Sequence, residues 1–236
     1  MNKRFAIIDG RAAEYISEPL KALGYEVLPL PAFEQLDTPV SAHPDMLMFI
    51  WGKKIITHSQ YYPIAKDIFD KLCDAGYEII LSEQKILPKY PADVPLNCAV
   101  VGEHLIANEK TVSSLILNGA IGKLSLLNTK QGYTKCSTFI VDERSVITAD
   151  LSIAKACEAA GLEVLVIREG NVRLDGYGYG FIGGTGGSDG ERIFFAGDPD
   201  RHPDGKAIIK FCESKHKKVI ALSDMPLLDV GTIFFA

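Results

Sequence analysis

Short apolar runs of β-forming residues alternate along this chain with amphipathic stretches, always in the same order. In residues 135–168 the run CSTFIV meets Asp142-Glu143, a tight-turn pair, and a second run, SVIT, follows. A helix is predicted next, capped by Asp150 or Ser152, with Ile153, Ala156, Cys157 and Ala160 on one face and Gly161 just past its end. The strand LEVLVI closes the unit, which reads β-turn-β-α-β.

The order recurs at 44–81 (PDMLMFIW, turn GK, KIITHS, helix YYPIAKDIFDKLCDAG, strand YEIIL) and at 96–127 (LNCAVV, turn GE, HLIAN, helix TVSSLILNGAIG, strand KLSLL). It recurs again from GYGFIGGTGGSDGERIFFAG, with a helix starting near Pro203 and the strand KVIAL. The two ends supply a fifth unit: residues 4–30 read strand, helix, strand with the first strand missing, and the apolar LLDVGTIFFA at 227–236 is that strand. Gly24-Tyr25-Glu26-Val27 aligns with Gly76-Tyr77-Glu78-Ile79 and with Gly161-Leu162-Glu163-Val164. The pattern predicts a single α/β domain over 1–236, an α/β-propeller of five ββαβ repeats with pseudo-five-fold symmetry, closed by the N- and C-terminal strands. A doubly wound parallel sheet is the competing architecture, but tight two-residue turns in unit after unit argue for hairpins, which parallel neighbours cannot use.

Composition adds exclusions. At 47% hydrophobic and 23% charged the chain is ordinary globular, and its longest apolar runs, such as MLMFIW, are too short to span a bilayer. The basic start MNKRFAIIDGR has no apolar core of a signal peptide, and five scattered cysteines without a CxxC pair suit reduced thiols, so a cytoplasmic location is expected. A net charge of −5, with no basic run beyond KHKK, disfavours nucleic acid as partner. A small polar molecule in a central pore, or a protein partner, is the expectation; no cofactor and no metal are called for.

Five such units with the last shared between the termini resemble the pentein superfamily of guanidine-modifying enzymes: arginine and agmatine deiminases, dimethylarginine hydrolases and amidinotransferases. The superfamily also includes a non-enzymatic translation initiation factor. HPD at 43–45 is similar to pentein strand entrances, and QGYTKCS (131–137) with GYGFIGG (178–184) resembles a bacterial branch that carries no assigned activity. The resemblance implies a nucleophilic cysteine near the C-terminus, yet the best-matching position here is Phe235, and the implied mid-chain His-x-Asp pair is absent where GFIGGTGG stands.

Candidate chemistry follows from the unit entrances, which converge on the axis of such a ring. Cys136, flanked by Lys135 and Ser137, is either a thiolate activated by a nearby ammonium or a small buried hydrophobe. His43 and Asp45 are either an acid/base and its orienter or a Pro44-stiffened turn, and Asp229 would join them at the centre. Two functions follow: a non-catalytic pentein binding a ligand or partner, or a divergent guanidine/amidine hydrolase or amidinotransferase. The second would use Cys136 as nucleophile, His43 as acid/base and Asp45 or Asp229 as carboxylate clamp. Lys135, Ser137, Tyr177 and Tyr179 are candidate ligand contacts. DPDRHPDG (198–205) reads as a capped helix start rather than a metal loop, and GGTGGSDG (183–190) as a hairpin turn or mobile flap.

Overall fold

A computed structural model describes residues 3–119 and 122–236. In chain order it gives β1 (Phe5–Asp9), α1 (Ala13–Ala22) and β2 (Glu26–Leu30); then α2 (Pro44–Leu47), β3 (Met48–Trp51), β4 (Lys54–His58), α3 (Lys66–Asp74) and β5 (Glu78–Ser82). The next unit is β6 (Ala99–Val101), β7 (His104–Ala107), α4 (Ser114–Leu117) and β8 (Ser125–Asn128). After it come α5 (Thr134–Ser137), β9 (Phe139–Asp142), β10 (Ser145–Thr148), α6 (Leu151–Ala159) and β11 (Glu163–Val166). The chain finishes with β12 (Gly186–Ser188), β13 (Arg192–Phe195), α7 (Gly205–Ser214), β14 (Lys218–Ala221) and β15 (Phe234–Phe235).

The strands form five three-stranded sheets, a mixed α/β fold. In each, the middle strand pairs antiparallel with one neighbour and parallel with the strand that follows the helix. The apolar C-terminal stretch finds its partner: β15 pairs with β1, Ala6 opposite Phe235 and Ile7 opposite Phe234. Among the described residues no helix is long and apolar enough to cross a membrane.

The middle strands read as unbroken apolar runs because both of their faces are buried. Side chains alternate across a strand, and here alternate residues enter different cores. Ile55 packs with Phe5, Ile7 and Phe69, whereas Ile56 packs with Leu96, Leu105 and Ile116 of the next unit. Ile106 meets Val146 and Ile153; Ile147 meets Ile193 and Ile208; Phe194 meets Ala6, Ile8 and Ile16. Five cores result, each joining two sheets, so no unit buries its apolar faces alone.

Several expected boundaries move. PDML and the Cys136-Ser137 start of CSTFIV, expected to open strands, fall in the single helical turns α2 and α5, whose backbone groups bond the Asn97 side chain of a neighbouring unit rather than a strand ladder. The helix expected over 61–76 is regular only from Lys66, and the one expected over 111–122 is reduced to α4; positions 120 and 121 of that expectation lie outside the described residues. Asp150 caps α6 as expected, its carboxylate accepting from the amides of Ser152 and Ile153.

The aligned glycines Gly24, Gly76 and Gly161 have φ of 86°, 84° and 78°, left-handed turns that only glycine enters cheaply. A methyl at Gly76 meets nothing within 4 Å, so Gly76→Ala isolates the conformational cost. We expect a loss of about 1 kcal/mol, a fall of roughly 2–4 °C in Tm. Gly186→Ala keeps an allowed extended backbone but drives its methyl into the Phe194 carbonyl, and denaturant unfolding should register about 3 kcal/mol or more.

Candidate functional site

The segments leading into the five outer strands β3, β6, β9, β12 and β15 meet in a buried circuit of hydrogen bonds. Asn97, before β6, donates through Nδ2 to the Asp45 carbonyl (3.1 Å) and accepts at Oδ1 from the amides of Lys135 (2.8 Å) and Cys136 (3.2 Å). Lys135 Nζ crosses to the Gly183 carbonyl (3.3 Å) and to Thr232 Oγ1 (2.8 Å). Thr232 donates its hydroxyl to Asp45 Oδ2 (2.8 Å), and its amide bonds the Gly184 carbonyl. The Asp45 amide completes the circuit by donating to the Gly231 carbonyl (3.0 Å). Each of the five units contributes a partner.

Local sequence explains the close approach. A side chain at Gly183 would overlap the Lys135 and Cys136 carbonyls, and one at Gly184 would overlap the Asp229 carboxylate. The glycine-rich segment is therefore a packing surface at its start: Gly183 to Gly186 are buried, which corrects the mobile-flap expectation there, while Gly187 to Asp189 are partly exposed and Gly190 is exposed at the hairpin turn. Thr232 holds φ of 75°, rare for a β-branched residue, and its amide and hydroxyl bonds keep it there.

The residues singled out from sequence divide cleanly. Asp45, Lys135, Cys136, Asp229 and His43 come together, all less than 10% exposed. Cys136 Sγ lies 3.3 Å from Asp45 Oδ2 and accepts from Asn97 Nδ2 at 3.0 Å. Of the two readings of Cys136, the surroundings act against the activated thiolate: burial first, then the Asp45 and Asp229 charges, push its pKa well up, and Lys135 Nζ is directed to Thr232 and Gly183 instead. Burial moves Lys135 the opposite way, lowering its pKa against the opposing charges of Asp45, Cys136 and Asp229. The Asp229 carboxyl is raised, again by burial first, while it accepts from the amides of Phe181 and Gly231.

His43 is not oriented by Asp45 as the acid/base reading expects. Its ring faces Asp9 Oδ2 at 3.7 Å and Asp229 Oδ1 at 3.9 Å, and neither nitrogen has a hydrogen-bond partner. Asp9 is itself held by Arg11. Tyr177 and Tyr179 lie away from the centre, half exposed, bonding Asp37 and Glu169; Ser137 is buried with its hydroxyl unpartnered. In the 198–205 loop Asp198 caps a short 3-10 turn, while His202 Nδ1 accepts from the Asp204 amide and Asp204 pairs with Arg168. Asn97, Thr232 and Asp9 escaped the sequence reading; a lone Asn before an apolar strand (LNCAVV) was the one available signal.

Above the circuit lies a cavity of about 240 Å³ whose walls come from all five outer strands: Ile50 and Trp51, Val100, Ile140, Gly187 and Phe235. Lys135 and Thr232 also line it, and among its described lining residues there is no carboxylate. Phe235, where the superfamily's cysteine was expected, lines this cavity and packs on Tyr25 and Phe194 at centroid distances of 4.9 and 4.7 Å.

A family model described as a family of unknown function, DUF6873, matches residues 7–234. Comparison with curated proteins by sequence finds no match. Solved structures do share the fold. An amidinotransferase, SxtG, from Microseira wollei in the saxitoxin biosynthetic pathway aligns over 93% of this chain and 79% of its own at 13% identity, TM-score 0.57. DDAH from Pseudomonas aeruginosa, a cysteine-to-serine mutant complexed with citrulline, aligns over 95% and 93% at 13% identity, TM-score 0.55. Agmatine deiminase from C. jejuni aligns over 94% and 87% at 10% identity, TM-score 0.51. These are pentein proteins, and the fold of this chain is theirs.

Two measurements test the geometry. Asn97→Leu strands the Asp45 carbonyl and two amides, and denaturant unfolding should report a loss of about 3 kcal/mol or more. Under iodoacetamide at pH 8, native Cys136 should stay unmodified while exposed Cys73 reacts to completion; modification of Cys136 at the pace of Cys73 would contradict the raised pKa.

Proposed function

The chain belongs to DUF6873, a family of unknown function, over nearly its whole length, and we propose that the protein is a small-ligand-binding pentein that does not use cysteine-thiolate chemistry. In this reading the whole chain is one unit, a five-bladed propeller whose blades share their cores, and the ligand sits in the central cavity. The carrying observation is the cavity itself: apolar walls from five strands over a floor with Lys135 and Thr232. Small-molecule sites are typically apolar concavities with a few placed polar groups.

The ligand class follows from the lining. Recognition of a guanidinium or amidinium needs a carboxylate placed to accept its N–H groups, whereas here the polar side chains among the described lining residues are Lys135, Thr232, Ser188 and the Trp51 indole, with no carboxylate. A small apolar molecule with a hydrogen-bond acceptor fits; a planar cation does not. The guanidine/amidine enzyme reading would require Cys136 to ionise beside Asp45, against the direction in which its surroundings push it.

Trp51 is the chain's one tryptophan and lines the cavity, so its emission reads occupancy directly. Benzaldehyde and benzamide should change Trp51 emission saturably, and benzamidine should not. Val100→Phe, which fills the cavity from the β6 side, should abolish the response while unfolding stability falls by no more than about 3 kcal/mol. A saturable response to benzamidine alone would favour the enzyme reading instead.

A further inference from the structure

The polar floor of the cavity is a chain of three groups rather than an isolated lysine. Lys135 Nζ and Asp45 Oδ2 are each 2.8 Å from Thr232 Oγ1, so the hydroxyl accepts from the amine and donates to the carboxylate, its nearer and charged acceptor, with the Gly183 carbonyl at 3.0 Å as the other. The second acceptor of Nζ is the Gly183 carbonyl at 3.3 Å. A neutral amine has two N–H groups, and two acceptors are provided; what remains at nitrogen is the lone pair. Lys135 is 7% exposed and lines the same apolar cavity as Ile50, Trp51 and Val100.

Resting on the reading that this cavity receives a ligand, we propose that Lys135 is a nucleophilic amine that condenses reversibly with a small apolar aldehyde or ketone, with Thr232 relaying its proton to Asp45. An ammonium at Lys135 passes one proton to Thr232 Oγ1 as Thr232 passes its own to Asp45 Oδ2. The freed Nζ lone pair forms a C–N bond to the carbonyl carbon while the C=O π pair moves to oxygen. That oxygen takes a proton from nitrogen, giving a carbinolamine. The C–O bond then breaks and the hydroxyl leaves with the remaining nitrogen proton as water, while the nitrogen pair closes the C=N bond. Amine and carbonyl become imine and water, and no redox partner is needed.

Two further observations agree with this role. Desolvation lowers the Lys135 pKa, which increases the fraction of free amine near neutral pH even with Asp45, Cys136 and Asp229 opposing it. Thr232 is held at φ of 75° by bonds from both its amide and its hydroxyl, a strained placement that sets Oγ1 between the lysine and the carboxylate.

The test treats the full chain at pH 7 with benzaldehyde and cyanoborohydride, which reduces any imine to a stable benzylamine, and maps adducts by peptide mass spectrometry. Trp51 emission is followed in parallel without reductant. Lys135 should be benzylated several-fold faster than exposed lysines such as Lys155 and Lys206. Its labelling should follow the saturation of Trp51, and Lys135→Met should lose the adduct at this position. Saturation of Trp51 with Lys135 labelled no faster than the exposed lysines overturns the imine and leaves the binding reading standing. No Trp51 response and no Lys135 adduct overturns both. Lys135 labelling that ignores the Trp51 curve is non-specific amine chemistry and also overturns the proposal. Wild-type mapping decides the matter even if the methionine variant does not fold.

Discussion

Everything at the centre of this molecule depends on one buried side-chain amide. Asn97 bonds α2 and α5 at once, accepting two amides and donating to a carbonyl from units on either side of it. Five sheets that each bury their faces against two neighbours can still slide along their strands, because apolar contact is non-directional. Directional bonds among Asn97, Lys135, Gly183, Thr232 and Asp45 remove that freedom and set how far each unit enters toward the centre. The single helical turns and buried glycines of the entrances follow from it, since only they bring backbone close enough to be bonded.

The same burial acts with opposite sign on the groups it encloses. Losing water disfavours charge, so the Cys136 thiol and the Asp229 carboxyl are raised while the Lys135 amine is lowered. For these three groups burial works toward the neutral form. For a thiol this means a poor nucleophile, because the thiolate is the reactive species; for an amine it means a better one, because the free base is. One environment thus acts against ionisation of Cys136 and toward the free base of the adjacent Lys135.

The aromatic ring of Phe235 has a related consequence. Packed against Tyr25 and Phe194 and lining the cavity, it makes apolar wall at the position where the superfamily resemblance implied a cysteine. The similar solved structures establish the shared fold at 10–13% identity, and a fold at that distance does not bring its chemistry with it. Among the described residues lining the cavity here there is no carboxylate.

Periodicity and turn chemistry determined the repeat, the middle strands and the pairing of the two chain ends, because each depends on local pattern: alternation, a two-residue turn, a glycine past a helix. The meeting of His43, Asp45, Cys136 and Asp229 was legible only through the symmetry of that repeat. What tertiary structure alone decided is the bonding within the meeting. Whether Lys135 lies against Cys136 or reaches across to Thr232, whether His43 faces Asp45 or Asp9, and whether a glycine run is a flap or a packing surface depend on residues far apart in sequence. Spacing along a chain specifies which residues approach a centre. It does not specify which donor finds which acceptor, because that is settled by distances of a few tenths of an ångström that only the packed backbone sets.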